Sequence, residues 1–195
     1  VAINSLDIKG IEIPTSKHPE IKKLKRQYNV HSLHGNKVWN STFVLLDYLD
    51  KYNFYNASIA DLGCGWGVLS SYMQKQGSEV TGYDADESVK PYFDLVAKLM
   101  ETKPRFKNID IFTNDLPMHH DIYIACDVCF WEGQIDSWIT LIEELAYQDK
   151  VLIMCDPGRE SFWELLKSCQ VPYIIERKFI EEPKKTDAYI VMFGN

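Results

Sequence analysis

The sequence has no run of about 18 apolar residues, the length a membrane-crossing helix needs. Its first residues show no basic-then-apolar signal pattern. Basic residues are in deficit. Twenty-one Lys and Arg stand against 28 Asp and Glu, a net charge of −7, which argues against a nucleic-acid backbone as the main partner because that affinity rests on neutralising phosphates. Ten glycines and eight prolines are too few for a fibrous or disordered chain. The cysteines Cys64, Cys126, Cys129, Cys155 and Cys169 are odd in number and sit mostly in apolar stretches. They read as buried free thiols of a reduced compartment, not as a disulfide framework. Cys126 and Cys129 form a C-x-x-C, but no second pair, His cluster or H-x-x-x-H completes a metal site. The expectation is a cytoplasmic protein with no metal and no membrane partner.

What is present suffices for one full core, since 46% of the 195 residues are hydrophobic and 13% aromatic. Residues 1–35 read as an irregular leader with a short basic helix over Pro19–Tyr28, and residues 36–195 as the working domain. His31 and His34 in the leader, and His119 and His120 further on, read as solvated. From Asn36 the pattern becomes regular. Helical spacing runs over Lys37–Tyr52, and Ala57–Asp61 is a short apolar strand ending in a glycine string. Strands are expected at Glu79–Tyr83, Ile109–Thr113, Ile122–Val128 and Val151–Cys155. Helices are expected after the glycine string and at Ser88–Met100, Gln134–Tyr147 and Glu160–Cys169. Strands alternating with helices predict an α/β, Rossmann-like, doubly wound sheet that is mostly parallel, with helices on both faces. Tyr173–Phe179 and Ala188–Phe193 have only a polar connection between them, so the sheet should end in an antiparallel strand. Ligands of such sheets lie at the carboxyl ends of the strands.

The residues after each strand therefore carry the functional reading. Asp61-Leu62-Gly63-Cys64-Gly65-Trp66-Gly67 has its third glycine four residues after the first, one too early for the dinucleotide fingerprint, and no phosphate-binding G-x-x-x-x-G-K-[ST] occurs. An acid before the loop would also repel a pyrophosphate. This D-x-G-x-G-x-G, at the end of a first strand, resembles the first motif of the seven-strand S-adenosylmethionine-dependent methyltransferases, and the element order from about Val38 to Phe193 resembles theirs too. The resemblance implies a cationic, phosphate-free nucleoside cofactor, S-adenosyl-L-methionine. Its binding residues would be Trp39, Asp61, Gly63, Cys64, Gly65 and Gly67, with Asp84 and Ala85 at the ribose, Asp115 and Leu116 at the adenine, and Asp127.

The substrate reading rests on three shorter matches. Asp127-Val128-Cys129-Phe130 resembles the D-x-x-[YF] of small protein-lysine methyltransferases. Gly35-Asn36-Lys37-Val38-Trp39 resembles their G-x-x-x-W entry, and Asp156-Pro157-Gly158-Arg159 the D-P-G-R of a nicotinamide N-methyltransferase-like subgroup. The resemblance implies methyl transfer to nitrogen, with a protein lysine as the first substrate and a small nicotinamide-like amine as the second. A partner subunit that binds cofactor without turnover is the reading from another class. Asp127 and Glu132 would attract and orient the amine, Phe130, Trp131 and Trp39 would wall it, and Arg159, a cation at a helix start, calls for a carboxylate such as Asp156 or a substrate acid. Neutralising a lysine of pKa 10.4 at pH 7 costs about 4.6 kcal/mol. A sulfonium about 4 Å away opposes the ammonium by about 4 kcal/mol at an effective dielectric near 20, so no strong base is required. The oligomeric state is not legible in the sequence.

Overall fold

The computed structural model describes residues 4–8, 10–27, 37–113 and 115–194. Seven strands form one sheet: β3 (Ser58–Leu62), β4 (Glu79–Asp84), β5 (Arg105–Asn108), β6 (Ile122–Cys126), β7 (Val151–Asp156), β8 (Tyr173–Ile180) and β9 (Thr186–Phe193), in the order β5-β4-β3-β6-β7-β9-β8. The first five run parallel and β9 lies antiparallel to both neighbours, the expected architecture. Period-two alternation feeds two cores. Ile59, Ile124, Ile153 and Ile190 point to one face; Leu62, Tyr123, Ala125, Leu152, Met154 and Val191 point to the other.

Helices α2 (Asn40–Leu49), α3 (Val68–Lys75) and α4 (Lys90–Leu99) cover the first face. Helices α5 (Ile135–Tyr147) and α6 (Glu160–Ser168) cover the second. Each helix seats an apolar stripe at three- and four-residue spacing, such as Tyr92, Phe93 and Val96 of α4 or Trp138, Leu141, Ile142 and Leu145 of α5. Among the described residues no helix is long and apolar enough to cross a membrane.

Two segments differ from the sequence reading. The leader is not irregular where it is described. It folds as a hairpin, β1 (Ser5–Ile8) and β2 (Ile11–Pro14), followed by α1 (Pro19–Gln27). Ile13 and Ile21 reach the main core and α1 packs on α4. Polar composition hides this, because a two-stranded ribbon needs to bury only one side. The second difference is the third parallel strand, which is Arg105–Asn108 and not Ile109–Thr113. As the sheet's edge it has one neighbour and little cover, so three of its four residues are polar, Phe106 packing on Phe93, while the apolar Ile109, Ile111 and Phe112 form a turn packed towards α5. Tyr28, His31, His34, Gly35, Asn36 and Asn114 lie outside the described residues.

Candidate functional site

The chain moves outward from β3 to β4 to β5, then returns to lay β6 beside β3. Between β3 and β6 the order reverses, and the strand ends diverge into a crevice there. The register brings the ends level: Leu62 lies opposite Tyr83 and Ala125, so the residues after each strand face one another. A cavity of about 460 Å³, within the range of small-molecule sites, opens at this point.

The glycine string forms its floor. The amides of Gly63 and Cys64 both donate to the Tyr83 carbonyl, at 2.8 and 3.0 Å, which ties the loop to β4. The Gly65 amide donates to Asp84 Oδ2 at 2.9 Å. Gly65 has φ +50°, and a Cβ placed there would meet nothing within 4 Å, so bare backbone faces open space. Gly67, at φ +71°, starts α3, and a Cβ there would lie 2.4 Å from Phe93. Its requirement is packing, and it does not line the cavity.

Five acids line the cavity: Asp61, Asp84, Asp86, Asp110 and Asp127. Asp61 is buried, accepts the Ser70 hydroxyl at 2.6 Å, and is pushed up to about 7 by burial, against the pull of that hydrogen bond. Asp84 accepts one backbone amide on each oxygen, from Gly65 and from Asp86 at 2.9 Å, leaving further lone pairs for a ligand's hydroxyls. Burial raises it above the usual carboxylate range despite those bonds. Burial likewise pushes the Cys64 thiol far up, and all five cysteines are free. Among the described residues no cluster could hold a metal ion.

On the far side, β6 ends at Cys126, and Asp127 follows with a φ of +55° that turns the chain sharply. Its amide donates to the Cys155 carbonyl and its side chain is buried. Arg159, at the start of α6, donates from Nη2 to Asp127 Oδ1 at 2.7 Å and from Nη1 to Asp156 Oδ2 at 2.6 Å. The guanidinium also lies 4.2 Å from the Phe130 ring centroid and 5.7 Å from that of Trp39. Trp39 and Phe130 themselves meet at 5.4 Å, and Trp131 stands half exposed at the rim.

The structure thus gathers Trp39, Asp61, Gly63, Cys64, Gly65, Asp84, Ala85, Asp127, Phe130 and Trp131 around one hollow, with Arg159 bound to its wall. Four expected residues stand apart. Asp115 is exposed and Leu116 is buried in the core of the second face, because the strand before them ends six residues earlier than Asn114. Asp110, with Ile111 and Phe112, takes the place after that strand. Asp110 holds the turn by accepting the Phe112 amide at 3.0 Å. Glu132 is exposed in a short helical turn and Gly67 is behind the loop; neither lines the cavity.

Sequence reasoning also missed Trp66, Lys37 and Trp138. Trp66 stacks on Tyr92 at 5.1 Å with 6° between planes, Lys37 lies 3.9 Å from the Trp39 centroid, and Trp138 keeps a buried indole N–H with no acceptor among the described residues. The available signal was Trp66's place inside the glycine string; Trp138 looks like any apolar helix residue. The donor set fits a ligand with a cation, ribose hydroxyls and no phosphate. The charged side chains of the lining are five aspartates and one lysine, Lys37, among mostly apolar and aromatic walls, and the backbone at Gly65 is open to close approach.

Comparison with known proteins agrees with this geometry. The methyltransferase small domain family matches residues 23–125. A ribosomal protein L11 methyltransferase of Campylobacter lari is 33% identical over 125 residues, 63% of this chain and 44% of that protein. A ubiquinone biosynthesis O-methyltransferase of Nitrosospira multiformis is 26% identical over 104 residues, 52% of this chain and 44% of that protein. The chain spans less than half the length of these curated relatives. Among solved structures, magnesium protoporphyrin IX methyltransferase from Synechocystis PCC 6803, with bound SAM, superposes with a TM-score of 0.62 at 16% identity, covering 92% of this chain and 93% of that one. At that identity the likeness is one of fold.

Proposed function

This chain belongs to the methyltransferase small domain family, and we propose that it is an S-adenosylmethionine-dependent N-methyltransferase whose acceptor is a protein lysine. The cofactor supplies a methyl group on a sulfonium, already activated for in-line displacement. The chain's residues bind, orient and exclude water. When the cofactor is bound, Asp84 would accept the ribose hydroxyls, the Gly63–Gly65 backbone and Asp61 would hold its amino-acid end, and Ile111 and Phe112 would pack against the adenine; all of them line the cavity.

One observation carries the choice of an amine. Asp127 and Asp156 share the single guanidinium of Arg159, so two carboxylates face one cation beside Trp39 and Phe130. Asp127 is the member of this pair that lines the cavity, and the aromatic faces beside it suit a lysine stem or ammonium. Asp127 then positions the nucleophile and does not act as a strong base. Glu132, facing water, has no part in this reading. The Trp39–Phe130 pair supports a second reading, a flat nicotinamide-like nitrogen compound packed against this aromatic wall.

Incubation with methyl-labelled cofactor and a lysate freed of small molecules separates the two. Label on a protein band, removed by Asp127→Asn, is the expected result. Label only on added pyridine-type amines would replace the lysine reading, and no transfer to any acceptor would leave a cofactor-binding subunit without turnover.

A further inference from the structure

Among the described residues that line the cavity, only Lys37 carries a primary amine. It is exposed, stands two residues ahead of Trp39 just before α2, and lines the same hollow as the glycine string and Asp127. Its Nζ lies 3.9 Å from the Trp39 ring centroid, and Phe130 meets that ring at 5.4 Å. Lys75, Lys90, Lys167 and Lys178 each have an acid within 4.0 Å. Lys37 has none among the described residues, so its ammonium rests on a ring face without a counter-charge. A flexible four-carbon stem held that lightly is free to sweep the mouth of the cavity.

Resting on the amine-methyltransferase reading above, we propose that Lys37 is a self-modification site, methylated by its own chain with the cofactor in the adjoining cavity as donor. An acceptor ammonium for that reaction belongs against the Trp39–Phe130 wall beside Asp127, and Lys37 already has its own on the Trp39 face. Arg159, the other cation at this wall, is tied to Asp127 and Asp156 and is not the acceptor. Tethering takes the place of binding: an amine fixed two residues from the wall meets the donor at an effective concentration that a free acceptor reaches only by docking. The ammonium first gives its proton to solvent, which reaches this exposed side chain. The nitrogen lone pair then forms the N–CH3 bond as the S–CH3 bond breaks, its electron pair stays on sulfur, and S-adenosylhomocysteine leaves. The methylated amine takes up a proton again and keeps its charge, so it can return to the Trp39 face.

Incubation of the purified full chain with methyl-labelled S-adenosylmethionine and no other acceptor tests this. The expected result is label on the chain itself, located at Lys37 by peptide mass spectrometry, and entering at a rate per chain that stays constant as the protein is diluted. Lys37→Arg keeps a cation over Trp39 but removes the amine, and should lose the label; thermal unfolding with S-adenosylhomocysteine checks that this variant is folded and loaded. Peptide mapping of the wild-type chain locates the methyl group without any variant. Transfer to an added protein with Lys37 left unmodified would overturn the self-modification and leave the lysine reading standing. Label confined to other lysines of the chain, or a rate per chain that rises with protein concentration, would also overturn it. A chain that S-adenosylhomocysteine stabilises but that labels neither itself nor any added acceptor would remove both.

Discussion

Arg159 reaches from the start of α6 to the end of β6 and binds Asp127 across 2.7 Å, while its other terminal nitrogen holds Asp156. The cation at a helix N-terminus, which the helix dipole opposes, is explained by this bridge between two strand-end acids. Arg159→Ala leaves two nearly buried carboxylates without their counter-charge. Loss of about 3 kcal/mol is expected, at the lower end for a broken buried pair because Arg159 is partly exposed. Urea unfolding reads it directly. Asp127→Asn keeps the shape and one hydrogen bond, so cofactor affinity should hold while methyl transfer falls at least tenfold; wild-type turnover in that variant would make Asp127 structural.

Gly65 and Gly67 share a left-handed backbone but answer to different demands. Gly65→Ala meets open space and should cost only about 1 kcal/mol of backbone strain, whereas Gly65→Arg fills the cavity and should abolish cofactor binding in a folded protein. Gly67→Ala drives a methyl into the Phe93 ring and should destabilise by about 2–4 kcal/mol. Calorimetric titration and thermal unfolding of the three variants separate binding from stability.

Asp61 couples binding to a proton. Its ordinary value of 3.8 is raised to about 7, so between those values the folded chain holds a proton that the unfolded chain has released. The stability this group contributes is therefore present below about pH 4 and lost as pH rises through about 7. A cation beside Asp61 favours the carboxylate, so ligand binding at pH 6 should release a proton. Titration calorimetry in two buffers of different ionisation enthalpy measures this, and Asp61→Asn should remove the difference.

His120 acts in the opposite sense. It is buried between the Ser58 hydroxyl, 2.8 Å from Nδ1, and the Tyr83 hydroxyl, 2.7 Å from Nε2. Burial, with the neighbouring His119, lowers it from 6.5 to about 4. Its stabilising share is full above pH 6.5 and lost as pH falls towards 4. Thermal midpoints of wild type should drop across that window, and those of His120→Gln should drop less.

The sheet and the first half of the site were legible because local rules and global fold agree there. The apolar run Ser58–Leu62 feeds a glycine turn, and the strand-end acids Asp61 and Asp84 follow from position alone. Reading failed where apolar residues serve a turn. Ile109–Thr113 has the composition of a strand, but it packs under α5 while the polar Arg105–Asn108 takes the edge, and that error moved the third acid from Asp110 to Asp115. His120 read as solvated because nothing local signals that Ser58 and Tyr83, distant in sequence, will enclose it. The pairing of Arg159 with Asp156 was legible at three residues' distance; that with Asp127 required the sheet.

The most direct test of the cavity's assignment is thermal unfolding of the whole chain with S-adenosylhomocysteine, S-adenosylmethionine or a phosphate-bearing nucleotide such as NAD. Either of the first two, at a hundred times its dissociation constant, should add about 2.7 kcal/mol of stability, and NAD none. A midpoint that neither of the first two moves, or one that NAD moves as far, would contradict an acid-lined crevice shaped for a cationic nucleoside.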